Sequence, residues 1–319
     1  MANRSPFRVT NVEPLNPQKF QDPWITAKGE PRARITMTGL GTLWINTGTL
    51  CNLACKNCYI ESSPTNDALV YISLAEVRVF LDEIAAHNLP TREIAFTGGE
   101  PFMNPDMIAI LQLCLARGFD ILMLTNAMRP MRRFEAQLLG LEGRERITFR
   151  VSLDHFTKPV HEAERGPRSW DKALDGLEWL SSHRFTVAVA GRHLAGESEA
   201  DARAGYAALF ADHGWGVDAH DPVQLVLFPE MDAGADIAEI TDACWSLLNV
   251  TPQSIMCASS RMVVKRKGEA APRVAACTLL PYDPQFDMGA SLAEAAQDVQ
   301  LNHPHCARFC VLGGASCSA

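Results

Sequence analysis

A short apolar run followed by a stretch of helical periodicity recurs six times between positions 42 and 248, and few folds accommodate that alternation. The apolar runs are Thr42–Asn46, Ile94–Thr97, Asp120–Thr125, Ile147–Leu153, Phe185–Ala190 and Val223–Phe228. Ser73-x-x-Glu76 is a capping-box pattern ahead of Leu74, Val77, Leu81 and Ile84, which predicts the first helix. Further helices are expected from the Asn104-Pro105 start to Gly118, and over Met131–Gly140, Ser169–Ser182, Ser198–Asp212 and Asp236–Leu248. Strand–helix repetition implies a parallel sheet with crossover helices, and element order alone allows an open doubly wound sheet or a barrel.

Parallel α/β folds place their chemistry in loops at the C-terminal ends of the strands. The first such loop, Cys51-Asn52-Leu53-Ala54-Cys55-Lys56-Asn57-Cys58-Tyr59, carries three thiols. Their spacing is too tight for ordinary disulfides and suits three thiolates around one inorganic centre. Three ligands, with no fourth Cys or His nearby, leave one coordination position open; a zinc knuckle or half of a split zinc site is the alternative. The second strand ends in Gly98-Gly99-Glu100-Pro101, the third in Thr125-Asn126, the fourth in Ser152-Leu153-Asp154 and the fifth in Gly191-Arg192. Each alone is compatible with a turn or a helix cap. His155, Lys158, His161, Glu162, Glu164 and Arg165 crowd the loop after the fourth strand, where His155 and His161 are candidate substrate contacts, although a lone His is more often structural.

The CxxxCxxC triplet past the first strand, with GGEP after the second, resembles the radical S-adenosylmethionine (SAM) superfamily. The resemblance implies a partial (β/α)6 TIM-like barrel, and a [4Fe–4S] cluster on Cys51, Cys55 and Cys58 whose fourth iron chelates SAM. One electron, from a flavodoxin- or ferredoxin-type reductant, then releases a 5′-deoxyadenosyl radical that takes a hydrogen atom from the substrate. It also implies that Gly98, Gly99, Glu100 and Pro101 serve the methionyl amine of SAM. Thr125, Asn126, Ser152 and Asp154 would reach its ribose or methionyl groups, and Arg192 its carboxylate or an anionic substrate. The family's aromatic residue before the third Cys is replaced by Asn57, with Tyr59 one place beyond that Cys.

After position 250 the pattern changes. Cys257, the basic stretch Arg261–Gly268, a short strand Arg273–Ala276 and Cys277 read as a hairpin flanked by thiols; Ser291-x-x-Glu294 predicts a short helix, and Cys306, Cys310 and Cys317 follow. This layout resembles the twitch or SPASM extensions of radical SAM enzymes, which implies an auxiliary [4Fe–4S] cluster, with zinc as the competing occupant. Cys257, Cys277, Cys306 and Cys310 are the preferred ligands and Cys317 the substitute. Cys114 and Cys244, inside helical runs, read as packing thiols. The expected organisation is an extended arm over 1–40, the barrel over 41–250 and a small Cys-rich extension over 251–319.

Composition narrows the function classes. With 319 residues, 47% of them hydrophobic, the chain can bury a large core. Its 29 Lys and Arg against 37 Asp and Glu, net −8, argue against a nucleic-acid substrate, and no run reads as a signal peptide or membrane span. The ten cysteines then read as ligands and buried thiols of a cytoplasmic protein. Lacking a recognisable peptide-binding segment in residues 1–40, the chain is expected to act on a small molecule ahead of a peptide. A peptide-modifying maturase and a non-enzymatic two-site zinc or ferredoxin-like protein are the alternatives.

Overall fold

A computed structural model describes residues 5–9 and 12–314. Six parallel strands, β1 (Thr42–Asn46), β2 (Glu93–Thr97), β3 (Asp120–Thr125), β4 (Ile147–Ser152), β5 (Thr186–Gly191) and β6 (Leu225–Leu227), pair in chain order. Continuous apolar runs such as Leu43-Trp44-Ile45 and Ile94-Ala95-Phe96 are buried on both faces, as a parallel sheet wrapped by helices requires. The fold is a mixed α/β partial TIM-like barrel.

The outer layer comprises α1 (Leu74–Ala86), α2 (Met107–Ala116), α3 (Arg129–Arg132), α4 (Glu135–Leu139), α5 (Lys158–Arg165), α6 (Ser169–Ser182), α7 (Glu199–His213) and α8 (Ala243–Leu248). The capping box forms at α1: Ser73 Oγ accepts from Glu76 N–H at 3.3 Å and Glu76 Oε2 accepts from Ser73 N–H at 2.8 Å. Val77, Phe80, Leu81 and Ile84 are its buried face.

Several expected elements differ. The helix over 131–140 is two pieces, broken where Phe134 packs beside Phe102. The helix expected over 236–248 shrinks to α8 because its first half pairs with the N-terminal arm: Ala33 N–H donates to Ile240 O, and Arg32 forms a buried ion pair with Glu239 at 2.6 Å. The loop expected after β4 contains α5, entered through Pro159 and left at Gly166, whose φ is +93°. At Ser291 the N-terminal hydrogen bonds form without a helix, since the chain turns into the two-residue ladder Val299–Gln300 with Arg34–Ile35. Asn104 does not cap α2; its side-chain amide holds the carbonyls of Ile72 and Thr47.

The extension does not stand apart from the sheet. Strand β7 (Ser260–Val264) pairs in parallel with the free side of β1, and β8 (Arg273–Ala275) returns antiparallel to β7, so the sheet order is β6-β5-β4-β3-β2-β1-β7-β8. The basic residues between them pin this hairpin to the barrel, Lys265 through Glu76 and Lys267 through Asp67. Met262, Val263 and Val264 are fully buried, and each contributes roughly 1.5–3 kcal/mol, a large share of a typical stability of about 5–15 kcal/mol. Deleting residues 251–319 should therefore abolish cooperative unfolding and expose hydrophobic dye-binding surface; a soluble 1–250 fragment with a native-like thermal transition would contradict this.

Candidate active site

The loop after β1 is held by the chain's own backbone. Thr47 N–H donates to Thr97 O, Thr49 N–H to Leu69 O and Cys51 N–H to Ser63 O. Lys56 N–H meets Glu164 O, and Asn57 N–H meets Glu164 Oε1 at 2.8 Å, so α5 fixes the second half of the loop. The three thiols line one cavity, whose walls also include Gly98, Gly99, Thr125, Asn126, Ser152, Asp154, Arg165 and Arg192. Among the described residues no three His, Cys, Asp or Glu side chains stand close enough to hold a single metal ion.

An iron–sulfur cluster suits this donor set. All three donors are sulfur, and two already receive backbone amides, Cys51 Sγ from Leu53 N–H at 3.4 Å and Cys58 Sγ from Ser62 N–H at 3.3 Å. Burial pushes the Cys51 thiol up to about 12, and burial outweighs the Arg165 charge in pushing Cys55 to about 11. Without a metal both are neutral thiols, and their ionisation is coupled to metal binding.

Gly98 and Gly99, which the resemblance assigns to the methionyl amine of SAM, line the cavity, and the nearest obstacle to a side chain at either is the cluster loop. A Cβ on Gly99 would lie 2.2 Å from Leu50 O, and one on Gly98, where φ is +146°, 2.6 Å from Gly48 O. Gly99 N–H donates to Gly48 O at 2.8 Å and Glu100 N–H to Leu50 O at 3.2 Å, which continues the β1–β2 pairing into the loop. Glu100 and Pro101 are buried behind the cavity wall. Glu100 accepts from Thr125 Oγ1 at 2.8 Å and from Asn126 N–H at 2.9 Å, and Asn126 Nδ2 reaches Asn52 Oδ1 at 2.9 Å. One carboxylate thus ties the end of β3 to the end of β2, and Asn126 ties both to the cluster loop.

Asp154 is the negative centre of a buried charge network. Arg165 Nε lies 2.6 Å from its Oδ2 and Arg192 Nε 3.5 Å from its Oδ1. Burial would raise this carboxyl, but the two guanidiniums hold it down to about 2. Arg192 also pairs with Glu230 at 2.9 Å, donates to Asn57 O, and lies between the rings of Tyr59 at 4.8 Å and Phe7 at 5.3 Å. Arg165 was legible only as one charge in a crowded loop; the helix that aims it was not. Asn57 has its amide on Met231 O and does not face the cavity, whereas Tyr59 does. Neither candidate histidine borders the cavity: His155 sits against Phe156 with Nε2 3.4 Å from Glu197, and His161 is fully buried against Trp170.

A second group of thiols lies alongside. Cys257, Cys277, Cys306 and Cys310 line one small apolar cavity together with His305 and Phe309, and Cys317 lies outside the described residues. Cys257 precedes β7, Cys277 follows β8, and Cys306 and Cys310 occupy a π-helical turn over Cys306–Val311, a local form frequent at functional sites. Burial pushes Cys257 to about 11 and Cys306 well above the usual thiol range, the latter also because Cys277 and Cys257 are near. Leu279 lines both cavities, and Phe309 packs on Tyr59 and Phe228 of the first, so the two adjoin. His305 carries no recognisable sequence signal, and its Nδ1 is buried with no hydrogen-bond partner among the described residues. Cys114 is buried in α2, and Cys244 accepts from Thr241 N–H at 3.4 Å, both as packing thiols.

The sequence profile of the radical SAM superfamily matches residues 45–206, from β1 through α7. The chain belongs to the radical SAM superfamily. Enzymes of this superfamily use a [4Fe–4S] cluster and SAM. Among its relatives, the antilisterial bacteriocin subtilosin biosynthesis protein AlbA of Bacillus subtilis is 33% identical over 141 residues, 44% of this chain and 30% of that protein. The mycofactocin maturase MftC of Mycolicibacterium smegmatis is 29% identical over 138 residues, 43% of this chain and 33% of that protein. The chain thus spans about a third of the length of these curated relatives. The crystal structure of Streptococcus suis SuiB bound to SAM superposes with a TM-score of 0.58 over 80% of this chain and 64% of that one, at 12% identity, a likeness of fold. Among the described residues no helix is long and apolar enough to cross a membrane.

Two outcomes follow from the geometry. Gly99→Val should lower stability by at least about 2 kcal/mol, because its side chain collides with the Leu50 peptide; an unchanged denaturation midpoint would refute this contact. Burial pushes Glu100 up to about 7 against the Asn126 and Thr125 hydrogen bonds that favour its ionised form. Its folded value exceeds its unfolded one, so Glu100's own contribution to the stability of the iron-free chain falls as pH rises from about 4.5 to 7, while the buried His161 and His305, held down to about 4, act in the opposite direction. In urea titrations the stability of Glu100→Gln should therefore gain on that of the parent across this range; a constant difference would refute it.

Proposed function

We propose that Cys51, Cys55 and Cys58 hold the [4Fe–4S] cluster at which this radical SAM enzyme cleaves SAM, and that Cys257, Cys277, Cys306 and Cys310 hold an auxiliary [4Fe–4S] cluster. The observation that carries the reading is the convergence of the three thiols, the Gly98-Gly99 turn, Ser152 and the Asp154–Arg165–Arg192 network on one cavity. When bound and reduced, the cluster would supply the electron for reductive cleavage of SAM, and the resulting 5′-deoxyadenosyl radical would take a hydrogen atom from the substrate. The chain's own residues bind, orient and exclude water. Gly98 and Gly99 offer backbone groups to the methionyl end; Ser152, Thr125 and Asn126 present polar atoms to SAM. Arg165 and Arg192 place positive charge beside a carboxylate, and Tyr59 supplies the aromatic face that Asn57 does not. Trp44, Leu124 and Phe228 keep the rest of the chamber apolar, which protects a carbon radical from side reactions.

The names of two relatives, a bacteriocin biosynthesis protein and a maturase, support a peptide substrate, and those of two others, a GTP 3′,8-cyclase and an AdoMet-dependent heme synthase, support the small molecule expected from the sequence as the second reading. The adjoining thiol cavity supports an auxiliary cluster beside the substrate rather than at a remote site. A flavodoxin- or ferredoxin-type protein is the proposed reductant, and the cytoplasm the proposed location.

Anaerobically reconstituted protein should carry about eight iron atoms per chain and form 5′-deoxyadenosine when reduced with SAM. Cys55→Ala should abolish that product, and Cys51/Cys55/Cys58→Ala should keep about half of the iron. Full SAM cleavage by Cys55→Ala would refute the first assignment, and zinc in place of the remaining iron the second. Incubation with short peptides encoded beside its gene, read by mass shift, tests the substrate class.

A further inference from the structure

Arg261 enters the barrel wall on β7 opposite Leu43 and is 1% exposed. Among the described residues its guanidinium donates only to carbonyls: Nη1 to Cys257 O at 2.5 Å and Ser260 O at 2.8 Å, Nε to Ala295 O at 2.9 Å and Nη2 to Gln297 O at 2.9 Å. Carbonyls satisfy its hydrogen bonds but do not neutralise its charge, and a buried guanidinium without a counter-charge costs several kcal/mol. A carboxylate whose charge reaches it, Asp298, is itself paired with Arg34 at 3.3 Å. What the guanidinium does adjoin is the second thiol cavity, since the residue whose carbonyl it grips most closely, Cys257, lines it together with Cys277.

We infer that Arg261 is the built-in counter-cation of the auxiliary cluster and sets its reduction potential. The inference rests on the auxiliary-cluster reading above and adds the residue that balances it. Four thiolates around a [4Fe–4S]²⁺ core carry a net negative charge, and reduction by one electron adds another. A fixed cation beside the centre favours the more negative, reduced form, so its removal lowers the potential. Arg suits the position because it stays ionised when buried, and its planar fork spans the Cys257–Ser260 turn and the Ala295–Gln297 segment together. It therefore couples the hairpin that bears one pair of thiols to the segment leading toward the other pair. Arg261 is a positioning residue and touches no substrate.

The test uses the full chain carrying Cys51/Cys55/Cys58→Ala, so that only the auxiliary centre is titrated, by electron paramagnetic resonance at poised potentials. In that background Arg261→Gln should lower the reduced-to-oxidised ratio at least tenfold at the parent's midpoint, equivalent to about 59 mV for one electron. Arg261→Lys, which keeps the charge and loses the fork, should stay within threefold of the parent. Equal ratios in the parent and Arg261→Gln, or equal shifts in the Gln and Lys variants, would overturn the inference. Recovery of Arg261→Gln with less than half of the parent's iron would overturn it too, because the guanidinium would then be serving the fold. Absence of iron from the parent background itself would refute the auxiliary cluster, a failure the iron assay separates from a failure of Arg261 alone.

Discussion

Two carbonyls, those of Gly48 and Leu50, accept the amides of Gly99 and Glu100, and the rest of the site is arranged around that joint. It carries the β1–β2 pairing past the ends of both strands into irregular chain, where a loop would otherwise be free to choose its path. The absence of side chains at 98 and 99 lets the two backbones touch. Cys51 is thereby placed from the sheet outward, Glu100 is carried inward to collect Thr125 and Asn126, and Asn126 reaches back to Asn52. The site is a closed circuit of backbone and amide contacts, with the thiols on its inner side.

Charge is handled by the same economy of burial. Asp154, Arg165, Arg192 and Glu230 form a compact alternating set whose members lie almost wholly out of water, and the aromatic rings of Phe7 and Tyr59 cover its cationic end. Such a set holds its geometry because no member can leave without stranding another. Phe7 also shows why the N-terminal arm is more than a covering: a residue far from the barrel in sequence completes the wall behind Arg192.

Much of this was legible in the sequence. Alternating apolar runs and helical periods marked the six barrel strands, because two-sided burial leaves little room for polar residues. The motifs at Cys51–Cys58, Gly98–Pro101, Ser152 and Asp154 occupy the strand ends on which the cavity opens, with Glu100 and Pro101 held behind its wall. What was not legible depended on distant partners. The stretch from Asp236 looked helical and was captured by the arm. Arg165 read as one charge among several in the loop after the fourth strand until Pro159 and Gly166 are taken as the ends of a helix. Arg261 read only as the start of the basic stretch of the hairpin, since nothing local marks which of its charges turns inward.

The pairing of β7 with β1 has a consequence for how the chain is made. The first barrel strand is made before the other five, yet one of its two hydrogen-bonding neighbours is made after all of them. Until then one edge of β1 stays unpaired, with Trp44 and Ile45 lacking part of their cover. The nascent chain therefore carries an open, sticky margin beside the cysteine loop until β7 is made.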